Sequence, residues 1–294
     1  MSGPVRSMPD VPRAGSAEAP LAASLVARLR AAGCVFAEEE AALLLAEGLS
    51  AAGLETLVRR REVGEPLELV LGWVEFCGLR LAVVPGVFVP RRRTELLVRV
   101  GRELLADGGT VVDLCCGVGA VAAGLVAGRS PGDRASHDDG VQLAARTLAE
   151  VFAVDVDPVA VDCARRNLDG TGASVVVGDL DGPLPPLLAG RVDLMTANAP
   201  YVPSEEIALM PREARDFEPA HTLDGGPDGV ALHRRIAELA PRWLAPGGHL
   251  LIESSERQAG LTAGAMSAAG LTPRVLHDDG LAATVVVGQL PAGG

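Results

Sequence analysis

The chain has 294 residues, 48% of them hydrophobic, enough apolar material for one large core or for a large and a small one. A formal net charge of −12 argues against a protein that coats nucleic acid, because neutralising phosphates takes a basic surface. All 26 basic side chains are arginine, so a Schiff-base lysine, a P-loop lysine and a lysine general base are excluded.

Residues 1–19 are rich in Pro, Ser, Gly and Ala and lack the apolar centre of a secretory signal, so a disordered tail is expected there. From 20 to 73 the pattern is helical: Leu21, Leu25, Val26 and Leu29, then Leu43, Leu44 and Leu49, then Leu54, Leu57 and Val58 recur at helical spacing. Glycines at 33, 48, 53 and 64 punctuate the runs, which predicts a small helical domain. Residues 74–93 turn to short β-like runs, 79–84 and 87–89, broken by Pro85-Gly86, and read as a β-hairpin linker.

A helix is expected over 94–105. Beyond it, strands at 110–114, 151–155, 174–177, 192–197, 249–253, 274–277 and 284–288 alternate with helical stretches. That rhythm predicts an α/β fold, a mostly parallel Rossmann-like sheet over 94–294 that binds its ligand at the carboxyl ends of the strands. The polar, turn-rich segment 128–140 reads as a flexible insertion. No run approaches the roughly 18 apolar residues of a membrane-spanning helix, so no membrane partner is expected. Five cysteines without C-x-x-C spacing point to a reducing, cytoplasmic setting, and the five histidines lack metal-ligand spacing, so no metal site is expected. The clusters Arg59-Arg60-Arg61 and Arg91-Arg92-Arg93 read as solvated faces.

Residues 111–120 run from a buried strand through a turn, Cys115-Cys116-Gly117-Val118-Gly119, into a small-residue helix. Two glycines without Cβ let backbone approach a ligand closely, although a purely structural turn fits the same residues. The strand 151–155 ends in Asp155, an acceptor suited to ribose hydroxyls, and Asp157 before Pro158 suits a helix N-cap. Asp179 and Leu180 close the next strand, where an acid can receive an adenine amine and an apolar side chain can meet the ring. Cys115 and Ala122 stand where a full G-x-G-x-x-G would need glycine, which disfavours pyrophosphate and favours phosphate-free S-adenosyl-L-methionine.

The fourth strand ends in Asn198-Ala199-Pro200-Tyr201, which holds the chain's single tyrosine. A planar NH2 group can donate to the Asn198 side-chain oxygen and the Ala199 carbonyl while it lies against Tyr201. That arrangement suits methylation of a delocalised amide or amine nitrogen.

Together with Gly64-Glu65-Pro66-Leu67, the 84–98 segment Val-Pro-Gly-Val-Phe-Val-Pro-Arg-Arg-Arg-Thr-Glu-Leu-Leu-Val, Phe217-Glu218-Pro219, the 223–229 segment Leu-Asp-Gly-Gly-Pro-Asp-Gly and Pro246-Gly247-Gly248, this turn makes the chain resemble the HemK/PrmC-type protein-(glutamine-N5) methyltransferases. The resemblance spans roughly 21–288. It implies a class I methyltransferase sheet behind a helical substrate-docking domain, with methyl transfer from S-adenosylmethionine to the Gly-Gly-Gln glutamine of a peptide chain release factor. It implies cofactor contacts at Cys115, Cys116, Gly117, Val118, Gly119, Asp155, Asp179, Leu180 and Asn198, and glutamine contacts at Asn198, Ala199, Pro200 and Tyr201. Phe88 and Arg91 would border the pocket, and Glu95 and Glu218 would be structural. Two motifs depart from the family pattern: Ala199 stands for the proline of Asn-Pro-Pro-Tyr, and Cys115-Cys116 for Gly-Thr. The alternatives are a nucleic-acid base methyltransferase acting on adenine N6 or guanine N2, and a weakly catalytic cofactor-binding protein; the net charge weighs against a nucleic-acid partner.

Overall fold

The computed structural model describes residues 18–127 and 150–293. The expectations for most of the N-terminal tail and for the 128–140 insertion lie outside the described residues. In chain order the elements are α1 (Glu18–Ala31), α2 (Ala37–Ala46), α3 (Ala51–Glu62), α4 (Leu67–Leu71), β1 (Trp73–Phe76), β2 (Leu79–Ala82), α5 (Glu95–Leu104), β3 (Thr110–Leu114), α6 (Ala120–Val126), β4 (Glu150–Asp155), α7 (Pro158–Asn167), β5 (Ser174–Val177), β6 (Val192–Ala197), α8 (Arg212–Phe217), α9 (Ala231–Trp243), β7 (Leu244–Ser254), α10 (Glu256–Ala268), β8 (Thr272–Asp278) and β9 (Ala283–Gln289). The chain divides into two compact units, 1–71 and 72–294.

The smaller unit is built on Leu25, Leu29, Ala41, Leu44, Leu54, Val58 and Val70, the buried stripes of its four helices. In the Arg59-Arg60-Arg61 cluster Arg59 is exposed, as expected of a solvated face, but Arg60 and Arg61 are not. Arg61 is buried and bonds Glu40 through Nε at 2.6 Å, while Arg60 caps the Leu69 carbonyl at 3.0 Å and pairs with Glu65. Buried guanidinium is tolerable only when paired and hydrogen-bonded, and here acids and helix-end carbonyls supply both.

In the larger unit β1 and β2 form a hairpin in which Phe76 pairs with Leu79 across Cys77-Gly78. The turn therefore falls eight residues before Pro85-Gly86, and residues 87–89 are not a strand. Both turn residues have positive φ, 52° and 73°, the combination a two-residue hairpin with native twist requires. Val87 and Val89 are fully buried, so their apolar character is genuine, but the Val89 N–H donates to the Glu218 carboxylate instead of to a strand.

The main sheet has seven strands in the order β5-β4-β3-β6-β7-β9-β8. The first five run parallel; β9 is antiparallel to β7, and β8 to β9. Buried parallel strands read as continuous apolar runs, and β3 is buried at every residue. Helix α6 packs on α5 and on α7, and α9 packs on α10. The order of connections reverses between β3 and β6, and a crevice opens where neighbouring strands diverge in this way.

Candidate active site

Register alone assembles the site. Leu114 pairs with Val154 on one side and with Ala197 on the other, so the residues that follow, Cys115, Asp155 and Asn198, stand at one level of the sheet's carboxyl edge. Asp155 pairs in turn with Val177, which brings Gly178, Asp179 and Leu180 to the same edge. The strand ends and the loops beside them bring the predicted contact residues, Gly119 excepted, to one cavity of about 380 Å³, lined among others by Phe88, Arg91, Cys115, Gly117, Asp155, Asp179, Leu180 and Asn198 to Tyr201. Gly119 is not in that lining and faces α7, where a Cβ would meet Ala164 and Leu168 at 3.1 Å.

The glycine turn is held by the acids around it. Asp155 accepts the Gly117 N–H at 2.8 Å through Oδ2 and the Asp157 N–H at 2.9 Å through Oδ1. Burial raises its carboxyl above the ordinary range, and these two bonds oppose the rise. Asp157 caps α7 by accepting from the Val159 N–H at 2.8 Å, the N-cap expected before Pro158. Asp179 pairs with Arg235 at 2.8 Å on the exposed rim. Cys115 adopts φ +53° and Leu180 φ +50°, left-handed conformations that side chains rarely take; burial pushes the thiols of Cys115 and Cys116 well up, so both stay protonated.

Beneath this turn lies Asp113, fully buried, which accepts from the Thr196 hydroxyl at 2.8 Å and from the Ala122 N–H at 3.2 Å. Desolvation pushes its carboxyl up to about 7 against those two bonds.

In the Asn198–Tyr201 turn, Asn198 donates through Nδ2 to the Thr94 hydroxyl at 3.2 Å. The Tyr201 hydroxyl donates to Glu253 Oε1 at 3.2 Å, and the same oxygen accepts from Arg93 Nε at 3.1 Å, while the Arg93 guanidinium lies 5.8 Å from the Tyr201 ring centre. Burial and the Glu253 charge raise the phenol, so Tyr201 is neutral and presents an apolar ring face. Arg91 bonds buried Glu218 at 2.6 Å and covers Phe88 at 5.1 Å; Glu95 accepts the Cys77 N–H at 3.0 Å. Thr94, Glu253, His233 and Gln258 were given no role by sequence, and Arg93, read as part of a solvated cluster, is instead paired with buried Glu253. Each acts through a partner 29 to 160 residues away, so no local spacing marks it.

The donor set fits a positively charged, phosphate-free ligand. Asp155 and Asp157 flank the glycine turn, whereas the two arginines in the lining are each held by a buried glutamate, Arg91 by Glu218 and Arg93 by Glu253.

Against known proteins the chain is 40% identical over 214 residues to a release factor glutamine methyltransferase of Mycolicibacterium smegmatis, a match covering 72% of this chain and 69% of that protein. It is 35% identical over 215 residues to the protein of the same name from Geobacter sulfurreducens, covering 73% and 69%. A 4-amino-L-phenylalanine/4-methylamino-L-phenylalanine methyltransferase of Streptomyces pristinaespiralis is 38% identical over 208 residues, covering 68% and 65%. No family model matches. The chain belongs to the release factor glutamine methyltransferase family.

It is accordingly an S-adenosylmethionine-dependent methyltransferase of the class I fold. As a release factor glutamine methyltransferase family member it carries an Asn-Ala-Pro-Tyr turn, and the methyl of Ala199 is 1% exposed, packed into the main core with Leu180 and Ile252. Its glycine turn begins with Cys115, whose positive φ is the conformation that glycine takes without strain.

Proposed function

We propose that this protein methylates the side-chain nitrogen of a glutamine, in the Gly-Gly-Gln loop of a peptide chain release factor. The observation that carries the reading is the position of the Asn198–Tyr201 turn in the same cavity wall as the glycine turn, with the Asn198 amino end already engaged by Thr94.

The cofactor supplies an electrophilic methyl carbon on a sulfonium, which leaves as a neutral thioether. Cys115 to Gly119 with Asp155 would hold it from one side, and Asp179 and Leu180 from the other. With Nδ2 bonded to Thr94, Asn198 offers its Oδ1 to a substrate N–H, and the Ala199 carbonyl offers a second acceptor. Two acceptors on one planar NH2 fix its plane against the Tyr201 ring and aim the nitrogen lone pair along the line of displacement. Orientation of this kind supplies a share of the roughly 7–11 kcal/mol available from proximity. As the C–N bond forms, one N–H proton becomes acidic; it stays hydrogen-bonded to Asn198 Oδ1 or the Ala199 carbonyl until water takes it. The neutral Tyr201 donates its own proton to Glu253 and takes no part in this transfer.

The smaller helical unit is the proposed docking surface for the protein substrate; Val35 and Phe36, 81% and 66% exposed, offer it an apolar contact. A cytoplasmic location goes with this reading. It is supported by five free cysteines and by the lack, among the described residues, of any helix long and apolar enough to cross a membrane.

Mass spectrometry of release factor incubated with enzyme and cofactor tests the proposal: one added methyl on the Gly-Gly-Gln glutamine is expected. Asn198→Ala should lower transfer by at least about 100-fold and leave cofactor affinity within about threefold, since the lost acceptor faces substrate. Equal loss of both would make Asn198 structural and overturn its role. A second reading comes from the Streptomyces pristinaespiralis relative, whose name gives a free arylamine as acceptor. Its nitrogen is also planar and delocalised, and label in 4-amino-L-phenylalanine with none in release factor would favour it.

A further inference from the structure

Behind the substrate turn stands a second tier of polar contacts that the proposed reaction leaves unused. Gln258, on α10 and 5% exposed, donates through Nε2 to the Tyr201 carbonyl at 2.8 Å and to the Asp228 carbonyl at 3.0 Å. Its Oε1 accepts from the Ser255 hydroxyl. The amide can face only one way, because the reverse orientation would set its oxygen against two carbonyls.

The 223–229 segment is laid along the same stretch of chain. The Val202 N–H donates to the Leu223 carbonyl at 2.9 Å, Gly225 returns a bond to the Val202 carbonyl at 2.8 Å, and Ser204 donates to Gly226 at 3.0 Å. Gly229, at φ +75°, is where the segment and the clamp meet: a Cβ there would stand 1.9 Å from Gln258 Nε2 and 2.4 Å from the Tyr201 carbonyl oxygen. Below, His233 is fully buried, meets the Tyr201 ring edge-on at 6.4 Å between centres, and lies 2.8 Å from the Thr262 hydroxyl through Nδ1. The Thr262 hydroxyl donates to the Gln258 backbone carbonyl at 3.3 Å. The last residue of the turn is thus held at both its carbonyl and its ring.

Position 199 explains why such a hold matters. A proline ring at this position would fix φ, and Ala199 does not. We infer that Gln258, oriented by Ser255, is a positioning residue for methyl transfer: by gripping the Tyr201 carbonyl it sets the Asn198–Tyr201 turn and supplies a restraint that Ala199 itself lacks. The inference rests on the reading that this turn presents the substrate amide, and its test separates the two.

The test is a double-variant cycle with Gln258→Met, a chain of similar length without donors, and Ala199→Pro. With release factor as substrate, Gln258→Met should lower kcat roughly 10- to 100-fold, with KM and cofactor Kd changed less than about threefold, the pattern of a misaimed group. Ala199→Pro should raise kcat at least about fivefold more in the Gln258→Met background than in the parent. Ser255→Ala, which only frees the far end of the amide, should show the same pattern in weaker form and guards against a folding defect in Gln258→Met. Because Tyr201 is the chain's only tyrosine, 13C-labelled tyrosine gives a single ring signal that needs no substrate. That signal should shift or broaden in Gln258→Met and return toward the parent with Ala199→Pro. Equal effects of Ala199→Pro in both backgrounds, or an unmoved tyrosine signal, would overturn the inference. A parent enzyme that leaves release factor unmethylated while its tyrosine signal responds as described would overturn the substrate assignment and leave the clamp standing.

Discussion

At the residue scale, the glycine turn stores backbone strain at a position the chain fills with a thiol. Cys115 sits at φ +53°, where a left-handed backbone costs a non-glycine residue roughly 1–2 kcal/mol. Its side chain is half-buried against the main core, so it also contributes packing. Cys115→Gly removes both terms and adds unfolded-state entropy, and should leave stability within about 1 kcal/mol of the parent. Cys115→Val keeps the strain and adds a β-branch that clashes in that conformation, so it should cost about 2 kcal/mol. Urea unfolding of the three proteins checks the order, and a valine variant as stable as the glycine one would refute it. Gly229 is the harsher case, because both its φ and its space forbid a side chain. Gly229→Ala should cost about 3 kcal/mol or prevent folding, against about 1 kcal/mol for Gly247→Ala, whose Cβ would point into open space.

At the scale of elements, the β1–β2 hairpin turns on Cys77-Gly78 with both φ positive, a geometry for which Asn-Gly is the favoured pair. The backbone N–H of residue 77 keeps its bond to Glu95 in any substitution other than proline. Cys77→Asn should therefore stabilise the protein by about 0.5 kcal/mol, read as a raised urea midpoint at unchanged m-value. The same hairpin shows where the sequence was legible and where it was not. Strands β3, β5 and β6 were readable to the residue: β3 and β6 are buried and mostly apolar, and β5, an edge strand with no fully buried residue, is a β-branched valine run stopped by Gly178. Trp73–Phe76 escaped because it follows α4 directly and alternates inside and outside over only four residues. Residues 87–89 misled because burial and strand pairing are separate properties: Val87 and Val89 are buried, yet the Val89 N–H goes to a side chain 129 residues away. The glycine turn, Asp155 and the Asn198–Tyr201 turn were visible because each ends a strand. Thr94, Gln258 and His233 were not, since what matters is a contact made only once α5, α9 and α10 are in place.

At the scale of the whole molecule, two buried titratable groups, Asp113 and His233, oppose each other in acid. Asp113 titrates at about 7 in the folded chain, well above the ordinary carboxylate range, because burial removes it from water. Between that ordinary range and about 7, the folded protein keeps a proton that the unfolded chain has lost, so this group's contribution to stability falls as pH rises. His233 is shifted the other way, down to about 4, chiefly by burial. Between about 4 and its ordinary value near 6.5, the unfolded chain binds a proton that the folded protein does not, so its contribution falls as pH drops. Each slope approaches about 1.4 kcal/mol per pH unit with opposite sign, and over their shared window the two largely cancel. Asp113→Asn removes one side of the balance. Relative to the parent, its stability should fall on acidification from about pH 6.5 to about pH 4.5 with an added slope approaching 1.4 kcal/mol per unit. His233→Gln should shift the slope oppositely. Surface carboxylates held low by arginine partners, such as Asp216, Asp228 and Asp278, also lose stability in acid, but they do so equally in parent and variant and drop out of the difference. Parallel pH profiles for parent and Asp113→Asn would mean that the Asp113 carboxyl titrates near its ordinary value, with water reaching it beneath the glycine turn.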